Sequence, residues 1–106
     1  MTHLKPPLSK QKIAFFRKLY LAGLIEAEQH NLLSLNKLTG MPRRTLQDAI
    51  AAFADIGIEC QFIQQGERNN AGFYQINAWG PIDPQWLSQH KDSLQQLFAP
   101  VGDAQQ

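Results

Sequence analysis

Ser34-Leu-Asn-Lys-Leu-Thr-Gly-Met-Pro-Arg-Arg-Thr-Leu-Gln-Asp-Ala-Ile-Ala-Ala-Phe-Ala-Asp-Ile-Gly57 decides how this chain folds. Ser34 offers an N-cap oxygen, and Leu33 and Leu38 stand at the two positions of a hydrophobic staple. Gly40 supplies the left-handed residue that ends a short helix. Pro42 opens a third helix, where its missing N–H does no harm. Leu46, Ile50 and Phe53, with Ala49 beside them, repeat at helical spacing and form a core face. Arg43, Arg44, Gln47, Asp48 and Ala51 are left facing outward. Two helices joined by a glycine turn make a helix-turn-helix, whose second helix is shaped to enter the DNA major groove.

Working toward the N-terminus, Pro6 and Pro7 block helix formation, so residues 1–8 read as an irregular arm. Ser9 caps a first helix running from about Lys10 to Glu28. Ile13, Phe16, Tyr20, Leu24 and Ala27 form one apolar stripe of it, and Phe15, Leu19, Ala22 and Ile25 a second. A helix this apolar lies between two packed elements or contributes to a dimer contact. His30-Asn31 reads as its exit and Leu32-Leu33 as a short extended piece.

Toward the C-terminus, Ile56-Gly57 ends the third helix. Ile58, Cys60 and Phe62 alternate with Glu59, Gln61 and Ile63, which is strand periodicity. The segment from Gly66 to Gly72 turns the chain, and Tyr74, Ile76 and Ala78 mark the return strand. Asp83 as N-cap with Pro84 at N1 starts a last helix, whose stripe is Leu87, His90, Leu94 and Leu97, flanked by Trp86 and Phe98. The expected organisation is an arm at 1–8, one domain at 9–82, a C-terminal helix at 83–98 and a frayed tail at 99–106. The fold class is mainly α with a small β-hairpin.

The 106 residues carry a net charge of +1, unevenly spread. Residues 1–47 hold eight Lys or Arg against two acids, and residues 48–106 hold two against seven. Such a chain presents a basic surface to phosphate while staying near neutral; ordinary solvated charge is the plainer reading. The one cysteine, Cys60, excludes an internal disulfide. With no export-type apolar segment near the N-terminus and no membrane-spanning run, the expectation is a cytoplasmic protein with no membrane partner. His3, His30, His90 and Cys60 lack metal-ligand spacing. No nucleophile-base pair or phosphate-cradling glycine loop stands out, so neither an enzyme nor a cofactor or small-molecule ligand is inferred.

The order of helix, short strand, helix, helix, strand, loop, strand resembles the winged helix-turn-helix superfamily. Ser34, Leu38, Gly40-Met41, Arg43, Ile50, Gly57 and Gly72…Tyr74 are similar to the motif of the biotin operon repressor's N-terminal domain. The chain also resembles short bacterial winged-helix proteins with an added C-terminal helix. The resemblance covers about Ser34 to Ala78. Pro42 departs from the usual Ser or Thr cap of the recognition helix, and neither biotin binding nor ligase activity carries over.

Arg43 and Arg44 have guanidinium forks that suit guanine or phosphate, Gln47 suits adenine, and Asp48 suits the cytosine amino group. Thr45 completes the first turn of that candidate face. Lys37 and Thr39 flank the turn as candidate backbone contacts; Arg68, Asn69 and Asn70 occupy the wing tip, for phosphate or minor-groove contact or merely as turn formers. Solvated surface is the alternative for the arginines, although arginine is disfavoured at a helix N-terminus. Phe15, Leu19, Trp86, Leu94 and Phe98 are candidates for a homodimer seam or for packing of the last helix on the first. The expected function is duplex DNA binding by a dimeric bacterial transcription regulator; the alternative is a protein-interaction module.

Overall fold

The computed structural model describes residues 9–66 and 71–98. The expected arm at 1–8, the tail at 99–106 and the wing-tip residues Arg68, Asn69 and Asn70 lie outside the described residues. Among the described residues, five helices and a two-stranded antiparallel hairpin follow in the order α1 Lys10–Ala27, α2 Leu32–Thr39, α3 Arg43–Ala51, a 3-10 turn Ala52–Ile56, β1 Glu59–Gln64, β2 Gly72–Ala78, α4 Pro84–Gln89 and α5 Lys91–Leu97. The mainly α fold with one small hairpin is as expected from the sequence.

Helix α1 is the spine. Ser9 caps it by accepting from the Lys12 amide at 3.1 Å. Its apolar surface serves two separate interiors. Leu21, Ala22 and Ile25 join Leu35, Met41, Leu46, Ala49, Phe53 and Ile58 in the main core. Leu19 joins Leu87 and Leu94 in a second one. The helix therefore lies between packed elements. The buried residues are Leu19, Leu21, Ala22 and Ile25, while Phe16, Tyr20 and Leu24 of the first stripe are half-buried against the two cores. Ala27 is exposed. Burying side chains such as Leu21, Leu35 and Leu46, each fully enclosed, contributes roughly 1.5–3 kcal/mol apiece.

Helix α2 starts earlier than expected. Asn31, not Ser34, is the N-cap, and Leu32-Leu33 is helical rather than extended. The reason is a reciprocal capping box: Asn31 Oδ1 accepts from the Ser34 amide at 2.9 Å, and Ser34 Oγ accepts from the Asn31 amide at 2.9 Å. Two backbone donors are satisfied this way, where a Ser34 cap would satisfy one. The expected Leu33–Leu38 staple does not form, and both side chains are more than half exposed.

Gly40 ends α2 in the left-handed region at φ 75°. Pro42 is the N-cap of α3 rather than its first residue, and Phe53 falls in the 3-10 turn. Gly57, at φ 88°, sits so close to the following turn that an added Cβ would come 2.5 Å from Pro81 Cδ. The hairpin pairs Gln64 with Gly72 through Cys60 with Ile76, and slips one residue between Glu59 and Cys60. Phe62 alternates in step with the buried Ile58 yet is exposed, and it meets the Tyr74 ring edge-on at 5.1 Å.

The single C-terminal helix expected from Pro84 onward is two helices. Asp83 Oδ1 accepts from the Gln85 amide at 2.9 Å, with Pro84 in the first turn. The break falls at His90, at φ −111° and ψ 20°. Its ring stacks on Trp86 with centroids 4.0 Å apart, and its Nδ1 lies 2.8 Å from the Trp86 carbonyl. Both α4 and α5 pack on α1.

Candidate nucleic-acid interface

The turn between α2 and α3 is fixed from inside. Thr39 Oγ1 donates to the Leu35 carbonyl at 2.8 Å and accepts from the Met41 amide at 3.1 Å. Asn36 Nδ2 donates to the Met41 carbonyl at 2.8 Å. Met41 itself is buried in the core. This corrects the reading of Thr39 as a phosphate contact: it is 5% exposed, and its hydroxyl is committed to closing the turn. Asn36, which sequence reasoning passed over, is a main fastener of that turn; its partner five residues ahead corresponds to no sequence motif.

Beyond the turn, α3 divides cleanly. Leu46 and Ala49 are buried and Ile50 is half-buried, while Arg43, Arg44, Gln47 and Asp48 are exposed. Thr45 is half-buried. Pro42 places no side-chain oxygen on the first-turn amides. The positive end of α3 is thus open to solvent beside two guanidinium groups, a favourable arrangement for an anion. Arg44 Nε lies 4.0 Å from Asp48 Oδ2 one turn on, with both side chains largely exposed. Such a surface pair contributes little to stability. Lys37 is exposed in the last turn of α2, where it also favours that helix's negative end.

The hairpin is tied to this unit at two points. The Tyr74 amide donates to the His30 carbonyl at 2.8 Å, so β2 is pinned to the segment between α1 and α2. His30 is itself buried, with Nδ1 2.9 Å from Ser34 Oγ. Burial pushes the Tyr74 phenol above its ordinary range, the Cys60 thiol pushes it the same way, and Arg43 opposes both. Burial likewise pushes the Cys60 thiol up, opposed by a hydrogen bond with the Gln75 backbone.

The five residues considered for a dimer seam do not stay together. Leu19 and Leu94 are 4% and 2% exposed within one chain, and they are consumed in packing α1 against α4 and α5. Phe98 stacks on Tyr20 at 5.5 Å, with the Arg17 guanidinium 5.6 Å from its ring. Phe15 remains exposed, and with Phe16, Pro81, Ile82 and the half-buried Trp86 it lines a shallow cleft of about 280 Å³.

A helix-turn-helix followed directly by a β-hairpin is the arrangement of a winged helix, and the model of the winged helix-turn-helix family matches residues 10–98. The chain belongs to the winged helix-turn-helix family. It is also similar to a crystal structure of a DUF2131 family protein from Shewanella amazonensis SB2B. The two share 63% identity at a TM-score of 0.82, over 92% of this chain and 99% of that one. Among curated proteins none matches. Among the described residues, no helix is long and apolar enough to cross a membrane.

Proposed function

We propose that this winged helix binds duplex DNA and serves in the bacterial cytoplasm as a transcription regulator, acting as a homodimer. The observation that carries the reading is the two-sidedness of α3. Its back is locked into the core by Leu46 and Ala49, and its uncapped N-terminal turn presents Arg43, Arg44 and Gln47 to solvent. A helix held rigidly from behind, with a positive front, can enter the major groove without the cost of ordering its backbone on binding. Lys37 and the wing tip with Arg68, Asn69 and Asn70 would meet the backbone on either side.

Duplex binding measured by fluorescence anisotropy across a salt series tests this. With Lys37, Arg43 and Arg44 neutralising three phosphates, log K against log salt should fall with a slope of roughly −3 per protomer. Salt-independent binding, or none, would refute it. The dimer part of the proposal now rests on the Phe15 and Trp86 cleft, since Leu19 and Leu94 are interior. Sedimentation of wild type and Phe15→Asp tests it, with the variant expected to be monomeric.

The exposure of Leu33 and Leu38 on α2 supports a second reading, a protein-interaction module. That reading expects alanine changes at the two leucines to abolish partner binding and leave any DNA affinity unchanged.

A further inference from the structure

The sheet has two strands and therefore two outer edges, and the chain closes them unequally. On the β2 side, the Tyr74 amide points away from β1 and donates to the His30 carbonyl at 2.8 Å. On the β1 side, the direction of each backbone group follows from the ladder. The Gln65 amide donates to the Ala71 carbonyl at 3.0 Å, continuing the register that pairs Phe62 with Tyr74. In an antiparallel pair, residues that face the partner strand alternate with residues that face away. Gln65, Ile63 and Gln61 therefore face β2, and Phe62 and Cys60 turn their N–H and C=O groups outward. Tyr74, opposite Phe62, faces outward on its own side, as the same alternation requires. Among the described residues, no backbone group elsewhere in the chain bonds to Phe62 or Cys60 at that edge.

Edge strands are ordinarily blunted by lysine, by proline or by a covering element. Cys60-Gln-Phe-Ile63 holds no charge and no proline. The irregularity at Glu59/Cys60 lies at the start of the strand and leaves the rest in register. Phe62 is 37% exposed, although its ring gains from burial. A row of alternating donors and acceptors is matched by an extended strand, and β1 is complementary to itself. Turned about a two-fold axis through Gln61, a second copy sets its Cys60 opposite Phe62 and its Phe62 opposite Cys60. Each such pair exchanges both of its N–H···O=C bonds, and each Phe62 ring lies beside a thiol instead of water. The two Gln61 side chains meet on the axis, on the other face, and no like charges are opposed.

We propose that the outer edge of β1 is a self-pairing surface, which takes β1 of a second copy antiparallel about Gln61. A contact of so few residues falls well below the ~1,000 Å² that a stable interface needs. Between free chains it is therefore weak, with a Kd of about a millimolar, and it becomes populated when two protomers are held side by side at a comparable effective concentration. Neighbouring copies on one duplex are such a pair; that use rests on the DNA-binding reading, and the pairing itself does not. The edge shares no residue with the Phe15 and Trp86 cleft.

The test needs no DNA. The full chain carrying Phe15→Asp, which removes the other proposed contact, is followed by NMR from about 0.05 to about 1 mM. The Cys60 and Phe62 amide resonances are expected to move with concentration, and the Tyr74 and Gln75 amides to stay in place. Phe62→Lys, which sets a charge into each pair, should abolish the shifts. On a Cys60→Val background, Gln61→Cys should form an intermolecular disulfide at least about tenfold faster than Gln75→Cys. The two positions pair in the hairpin and are both exposed. Gln61 stands on the axis, where Cα atoms approach to about 4.5 Å, within disulfide reach. Gln75 lies one strand further out, about 14 Å from its mate, beyond that reach. The proposal is overturned by resonances that do not move up to the highest concentration, by shifts that survive Phe62→Lys, or by equal cross-linking at the two positions. None of these results bears on the salt series with duplex DNA, so the two readings fall separately.

Discussion

Thr39→Val separates a structural threonine from a DNA-contacting one. Valine keeps the shape and removes the hydroxyl. In the folded chain that hydroxyl donates to the Leu35 carbonyl at 2.8 Å and accepts from the Met41 amide at 3.1 Å, at a site 5% exposed. Losing the bond to Leu35 costs about 0.5–1.5 kcal/mol, and leaving the enclosed Met41 N–H without an acceptor costs roughly 1–3 kcal/mol. A central value is about 2 kcal/mol. For a domain of this size that lowers Tm by roughly 8–16 °C. Urea unfolding at constant m should report the loss, and Thr39→Ser, which retains both bonds, should recover most of it. The variant, while folded, should bind duplex DNA within about twofold of wild type, since the hydroxyl has no bond to spare for phosphate. The reasoning fails if Thr39→Val leaves stability unchanged and weakens DNA binding about tenfold, the outcome a phosphate-contacting hydroxyl requires.

Arg43→Ala should weaken DNA binding across sequences and reduce the magnitude of the salt slope by about 1; Arg44→Ala should do the same, and neither should change urea stability by more than about 0.5 kcal/mol. Anisotropy and unfolding on the same samples check both. Gly57→Ala adds the strain of a left-handed alanine to an overlap with Pro81 Cδ, so a destabilisation of about 3 kcal/mol or more is expected in urea titrations. The Cys60 thiol and the Tyr74 phenol are both held above their ordinary values of 9.0 and 10.0, chiefly by burial. An acid whose folded pKa is raised contributes stability that is fully present below its unfolded pKa and is lost as pH rises through the folded one. The urea midpoint should therefore hold from pH 7 to about 9 and fall above it, with Cys60→Val removing the first part of the decline. Leu94→Ala should cost roughly 2–5 kcal/mol of stability without altering the sedimentation coefficient of the folded protein, whereas Phe15→Asp should do the reverse.

Features carried by one residue's own chemistry were legible in the sequence. Gly40 and Gly57 stop helices because only glycine takes a positive φ freely there. Asp83-Pro84 starts a helix because an oxygen and a fixed φ act locally. The start of α2 was misplaced because Asn31 and Ser34 both carry capping oxygens, and only their reciprocity decides between them. The break at His90 has no proline or glycine to announce it. It accompanies the packing of both α4 and α5 on α1, a tertiary fit that no local motif announces. The phase of α1 was hidden for a related reason: a helix apolar nearly all round has no single stripe, and its neighbours choose which residues are buried.

The candidate site divides along the same line. Arg43, Arg44 and Gln47 were identifiable because outward positions follow from the 3.6-residue period once Leu46 and Ala49 are assigned to the core. Thr39 was not, because a threonine beside a glycine turn reads the same whether its hydroxyl points out to a phosphate or back to its own backbone. What decides is the accounting of the turn's donors and acceptors. Met41 is buried and its amide needs an acceptor, and Thr39 is the side chain placed to supply it. Asn36 meets the corresponding demand of the Met41 carbonyl. A recognition helix needs a rigid approach, and that rigidity consumes polar side chains near the turn. In a winged helix built this way, the polar groups nearest the glycine belong to the scaffold, and the solvent-facing charges of α3 begin one residue after the proline.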